Sequence, residues 1–198
     1  MDERAEQQIA RLFRVGEVSS IDPVAHTARV AFQEDNGLVS YDLRVLERNT
    51  HDNCDHQMPD IGEDVLCIFL PCGSEDGFIL GSWYAGEVTP PSTDPDERKV
   101  QFKDGTYIVY HREKHTLDIV DEDTSIHADR EKVTINTPKL VQVTTTDVEV
   151  NASGNIKGTA GGNIELQAGG NVNINAGGSM SLTAAGALNL KGSPVNMN

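Results

Sequence analysis

Positive charge is scarce in this 198-residue chain: 16 Lys and Arg stand against 31 Asp and Glu, for a formal net charge of −15. A nucleic-acid partner needs clustered cations to displace its counterions, so none is expected here. Aromatic residues make up only 5% and hydrophobic residues 37%, while glycine fills 18 positions. A monomer of that composition has little with which to build one large core, which points to burial between chains. Cysteine is limited to Cys54, Cys67 and Cys72, an odd number that makes no disulfide framework, so reduced thiols are expected. Long apolar runs are missing too. The start, Met1-Asp2-Glu3-Arg4, is charged with no apolar segment behind it, and no stretch approaches about 18 apolar residues. Neither a signal peptide nor a membrane span is expected.

Charge of either sign is nearly absent from one end. Of all the charged residues only Lys157, Glu165 and Lys191 lie beyond position 150, so an acidic front region precedes an almost uncharged tail. Catalytic signatures are equally sparse, with no Gly-x-Ser-x-Gly, phosphate-binding loop or Cys-x-x-Cys. Asp121 to Asp123 read as solvated loop carboxylates. The run His51-x-x-Cys54-x-His56 offers only three zinc-type ligands in a loop with Asp neighbours, and plain surface polarity outweighs metal binding there. His26, His111, His115 and His127 are scattered and read as solvent-facing. No enzyme activity, metal or cofactor is expected.

What is present is strand periodicity. Ala5, Ile9, Leu12 and Phe13 keep helical spacing and predict a short helix over 1–13. From Arg14 the period falls to two, through Val15-Gly16-Glu17-Val18, Ala28 to Phe32 and Tyr41 to Val45, with turns at Asp22-Pro23 and Asp35-Asn36-Gly37. A polar loop from His51 to Pro59 precedes Val65 to Leu70, and Phe78 to Gly81 follows a turn. Five short strands with a longer crossing in the middle predict a Greek-key barrel of the OB type over 14–86, with an SH3-like barrel fitting almost as well. The run 87–97 (EVTPPSTDPDE) is too rich in proline and polar residues for a core element and is read as a linker. Alternation returns in Val100 to Tyr110 and Leu117 to Val120, with turns at Asp104-Gly105 and around Glu113-Lys114.

The tail carries a repeat of eight. Gly154, Gly162, Gly170, Gly178 and Gly186 are each followed two residues later by Ile156, Ile164, Val172, Met180 and Leu188. A second apolar position holds Leu166, Ile174, Leu182 and Leu190, and Val148 and Val150 extend the register backwards. Each octad reads as one strand, apolar on one side, plus one corner at glycine. No octad buries its apolar side alone, so octads must stack around a common axis. A single-chain solenoid and three intertwined chains both satisfy that demand, and the trimer fills a narrow triangular core better. The fold class expected is therefore all-β: an OB-type barrel, then an intertwined triple-stranded β-helix over 98–198. Its trimer core is the set of apolar residues just named from Val148 to Leu190, and its corners are the five glycines.

These octads resemble those in the stalks of contractile-tail central spike proteins, and Ala160-Gly161-Gly162-Asn163-Ile164-Glu165-Leu166-Gln167 is a characteristic unit. Arg14 to Val18, Ala28 to Val30, Pro59 to Val65 and Gly77 to Tyr84 resemble the OB domain of the phage baseplate assembly protein V family, and Lys103-Asp104-Gly105-Thr106 fits the opening of the stalk. The resemblance implies a homotrimeric spike at the centre of a virion or particle baseplate, made in the bacterial cytoplasm and driven through the target envelope when the sheath contracts. It implies hub or tail-tube proteins as partners at the barrel end and transient contact with the target membrane. Some relatives end in a His-x-His pair that holds iron. The run Gly192 to Asn198 has no such pair, so a separate conical tip protein is the expected partner there. Others insert a lysozyme domain where this chain has only its linker. The rival reading is a receptor-binding tail fibre or adhesin stalk. A glycan-cleaving solenoid is a third, for which Glu165 alone is too little.

Overall fold

A computed structural model describes residues 12–71 and 76–195 and divides the chain into two units, Met1–Gln142 and Val143–Asn198. The helix expected over 1–13 falls outside the described residues except at its end, where Phe13 already begins the first strand.

The first unit opens with six strands: β1 (Phe13–Asp22), β2 (Thr27–Phe32), β3 (Leu38–Val39), β4 (Leu43–Val45), β5 (Asp64–Phe69) and β6 (Gly77–Ser82). β1 is long enough to serve two neighbours. Phe13–Glu17 pairs with β5, and Glu17–Asp22 pairs with β2. β2 continues to β4, β4 lies parallel to β6, and β6 returns to β5, so five strands close into a barrel while β3 adds to the outside of β2. The parallel β4–β6 contact requires the longer crossing over 46–63 and gives the ring its OB-like order.

Alternation puts Val18, Ala28, Val30, Phe32, Leu43, Val65, Cys67 and Ile79 inside, each at most 2% exposed. At about 1.5–3 kcal/mol for each fully buried large apolar side chain, this small interior holds the barrel together. β1 can wrap over it only because position 16 has no side chain. A Cβ on Gly16 would lie 2.5 Å from the Ala31 carbonyl oxygen and 2.7 Å from Val30 Cγ1. Burial pushes the Cys67 thiol up to about 12, which leaves it inert.

Five further strands follow: β7 (Glu97–Gln101), β8 (Tyr107–His111), β9 (Thr116–Asp121), β10 (Thr124–Ala128) and β11 (Val133–Asn136). They form an antiparallel meander in sequence order. Its first two turns fall where expected, with Gly105 at φ 92° and His115 at φ 54°. β10 and β11 were not foreseen from alternation. Over 97–136 the chain completes a ladder with itself. The stretch read as a linker ends in structure: Ser92 Oγ donates to Glu97 Oε2 at 2.6 Å, the Asp96 amide donates to Asp94 Oδ1 at 2.9 Å, and Glu97 is already in β7.

The second unit has no strand among its described residues. It bends at 153–154, 161–162, 169–170, 177–178, 185–186 and 193–194, once every eight residues and at each of the five corner glycines. None of those glycines has positive φ, and a Cβ built on any of them meets nothing within 4 Å. Within one chain, neither backbone conformation nor space demands glycine at these corners.

Candidate functional site

The meander's register creates a surface that the chain leaves uncovered. Val100 pairs with Ile108, Ile108 with Ile119, Ile119 with Ile126, and Ile126 with Ile135, so one line of β-branched aliphatics crosses all five strands. Two residues along, Tyr110, Leu117, Ala128 and Val133 line up on the same face beside Arg98. The opposite face carries Lys99, Val109, Asp118, His127 and Thr134. A sheet in water normally covers its apolar side. Here Val100 is 53%, Ile108 41%, Ile126 37% and Ile135 56% exposed with the central Ile119 half-buried, while all five residues of the other line are half-buried.

The octads repeat the situation. Val148, Val150, Ile156, Ile164, Leu166, Val172, Ile174, Met180, Leu182, Leu188 and Leu190 range from 51% to 79% exposed. Each of these eleven large apolar side chains forgoes part of the about 1.5–3 kcal/mol that full burial would contribute. Sequence reasoning found this set because its period is written in the chain. It missed the meander line because cross-strand register is not.

The polar candidates resolve differently. In the 51–56 loop the Cys54 thiol donates to the His51 carbonyl at 3.0 Å, His51 is fully exposed, and the His56 ring packs 5.2 Å from that of His26, so no ligand set forms. Among the described residues, Asp94, Glu97 and His111 do bring ligand-type atoms within 4.8 Å of one another. The hydrogen bonds there assign the tautomer. His111 Nδ1 accepts the Lys114 amide at 3.3 Å, which leaves the proton on Nε2, 3.3 Å from Asp94 Oδ2. The cluster fastens the 92–97 segment to β8.

Of the histidines expected to face solvent, only His115 does so plainly. His111 is 4% exposed, the His26 ring lies tilted against that of His56, and His127 sits between two carboxylates. The Asp118 hydrogen bond to His127 Nδ1, 2.5 Å long, raises the His127 pKa, and Asp129 adds to it from 3.4 Å on the other nitrogen. The Glu131 and Lys132 amides hold the Asp129 pKa below its ordinary 3.8, with a smaller contribution from His127. A raised histidine stabilises below its unfolded pKa of about 6.5 and loses that contribution as pH rises through its folded value. A lowered aspartate stabilises above about 3.8 and loses it as pH falls. The Tm gap between the parent chain and His127→Asn should therefore be widest between about pH 4 and 6.5 and narrow by pH 9. A gap that widens toward pH 9 in thermal melts would contradict the clamp.

No protein-family model matches this chain, and no curated protein matches it in sequence. No helix among the described residues is long and apolar enough to cross a membrane.

Proposed function

We propose that this chain is the central spike of a contractile tail or injection particle: a homotrimer whose tail forms a triple-stranded β-helix and whose barrel acts as its collar. The observation that carries the reading is the eight-residue recurrence of bends and exposed apolar pairs along the tail. The open aliphatic line across the meander supports it independently. Three copies around one axis would cover both surfaces and give ladder partners to backbone groups that have none in a single chain. The open space at the corner glycines is room for the neighbouring chains.

The mechanism is mechanical. As the sheath shortens, the tail is pushed through the target envelope, and a tail with almost no charge crosses a bilayer at less cost in desolvation. Hub or tail-tube proteins hold the barrel in the baseplate, a separate conical protein caps the tip, and contact with the membrane is transient. The reaction is a displacement of material, with no bond made or broken.

Light scattering on the full chain tests the assembly, with an expected mass three times 21.5 kDa. A mass of 21.5 kDa in solution would overturn it. Antibody labelling of contractile particles should mark the centre of the baseplate. Labelling at fibre tips would favour the adhesin stalk instead.

A further inference from the structure

The barrel carries a groove of about 630 Å³ between the 57–64 segment and the residues that follow β6. Ile61, Trp83, Tyr84 and Val88 supply its apolar wall, and all four are exposed. Asp60, Glu63 and Asp64 supply its charge, and no Lys or Arg lines it.

The carboxylates lack counter-charges. Glu63 and Asp64 are half-buried, yet neither they nor Asp60 form an ion pair among the described residues, and Glu63 takes only the Asp60 amide at 2.8 Å. An unpaired carboxylate attracts a cation, and an aromatic face beside it attracts the same one. Guanidinium meets both demands, since it stacks flat on an aromatic ring while its edge bonds a carboxylate, and it is weakly hydrated compared with an ammonium.

We propose that this groove docks an arginine-bearing segment of a partner protein, with the guanidinium between Trp83 or Tyr84 and the Asp60/Asp64 carboxylates and a neighbouring apolar residue against Ile61 and Val88. This rests on the spike reading only in supplying a chemistry for the barrel's partner. The groove is built from the barrel, the segment that follows β6 and Gln101 at the end of β7. A second copy of the chain is the weaker occupant, because the chain is strongly acidic and its groove more so.

Trp83 is the sole tryptophan, so its fluorescence reports the groove directly. The probe is a capped Gly-Leu-Arg-Leu-Gly peptide titrated into the full chain, against the same peptide with citrulline, which keeps the shape and loses the charge. Saturable quenching by the arginine peptide is expected, about tenfold weaker with citrulline and in Asp60→Asn/Asp64→Asn, and weakened by 0.5 M salt. Equal response to both peptides, or no response, would overturn the assignment. So would a Trp83 already shielded from acrylamide in the assembled chain, which means that a second copy covers the groove. Light scattering on the double variant separates the two ideas: an unchanged mass with lost quenching isolates the groove, whereas a monomeric parent chain that still quenches removes the spike and leaves the docking site.

Discussion

An Ile174→Asp chain is expected to remain a single copy in solution, with its barrel intact. In the proposed trimer three side chains from position 174 converge near one axis, so the substitution would bury three carboxylates together without cations. Each costs several kcal/mol to desolvate, and their mutual repulsion adds to that. In the single chain Ile174 is 64% exposed, so the same change costs the isolated fold almost nothing. Ile174→Val is the control, expected to assemble with a penalty of about 0.5–1.5 kcal/mol per copy. Light scattering gives the mass and circular dichroism reports the barrel. An aspartate variant that assembles normally would mean that position 174 faces solvent, and the octad reading would fall with it.

Deletion of a whole octad should be tolerated where deletion of half an octad is not. Removing residues 163–170 joins Gly162 to Asn171-Val172, which restores the glycine-x-apolar spacing of the unit it replaces. Every later corner stays in phase, and the shorter tail loses two large apolar side chains, Ile164 and Leu166, per copy. Removing only 167–170 takes out fewer residues but sets every later bend half an octad out of step. Four residues should therefore cost far more than eight, with the shorter deletion losing the trimer or melting tens of degrees lower. Thermal melts followed by light scattering compare the two. Equal losses would show that the period has no structural meaning.

The barrel was legible because its strands alternate and its turns carry Asp22-Pro23 and Asn36-Gly37, signals that act within a few residues. Its closure was less so. The parallel β4–β6 contact and the sharing of β1 depend on where a loop of some length returns, and only Gly16, pressed against Ala31, marks the place. β10 went unread because Thr124-Ser125-Ile126-His127-Ala128 has one large apolar residue and resembles a loop. The octads were legible for the opposite reason, since a repeat shows in the chain without any folding. Their explanation needed amending. The corner glycines adopt ordinary backbone angles, so freedom of rotation does not account for them. The acidic groove was invisible in sequence because Asp60 and Trp83 are far apart in the chain and meet only across the barrel rim.

The order of the two units bears on how the molecule is made. A ribosome releases the barrel strands well before the tail, so each nascent chain has a folded front end when its apolar octads emerge. For the proposed trimer, the delay from that moment until two siblings are found is a hazard, because any other unpaired strand in the cell is an equally willing companion. Chains growing side by side on one message shorten that delay, so production in a crowded polysome should yield far more of the proposed trimer than refolding from dilute denaturant.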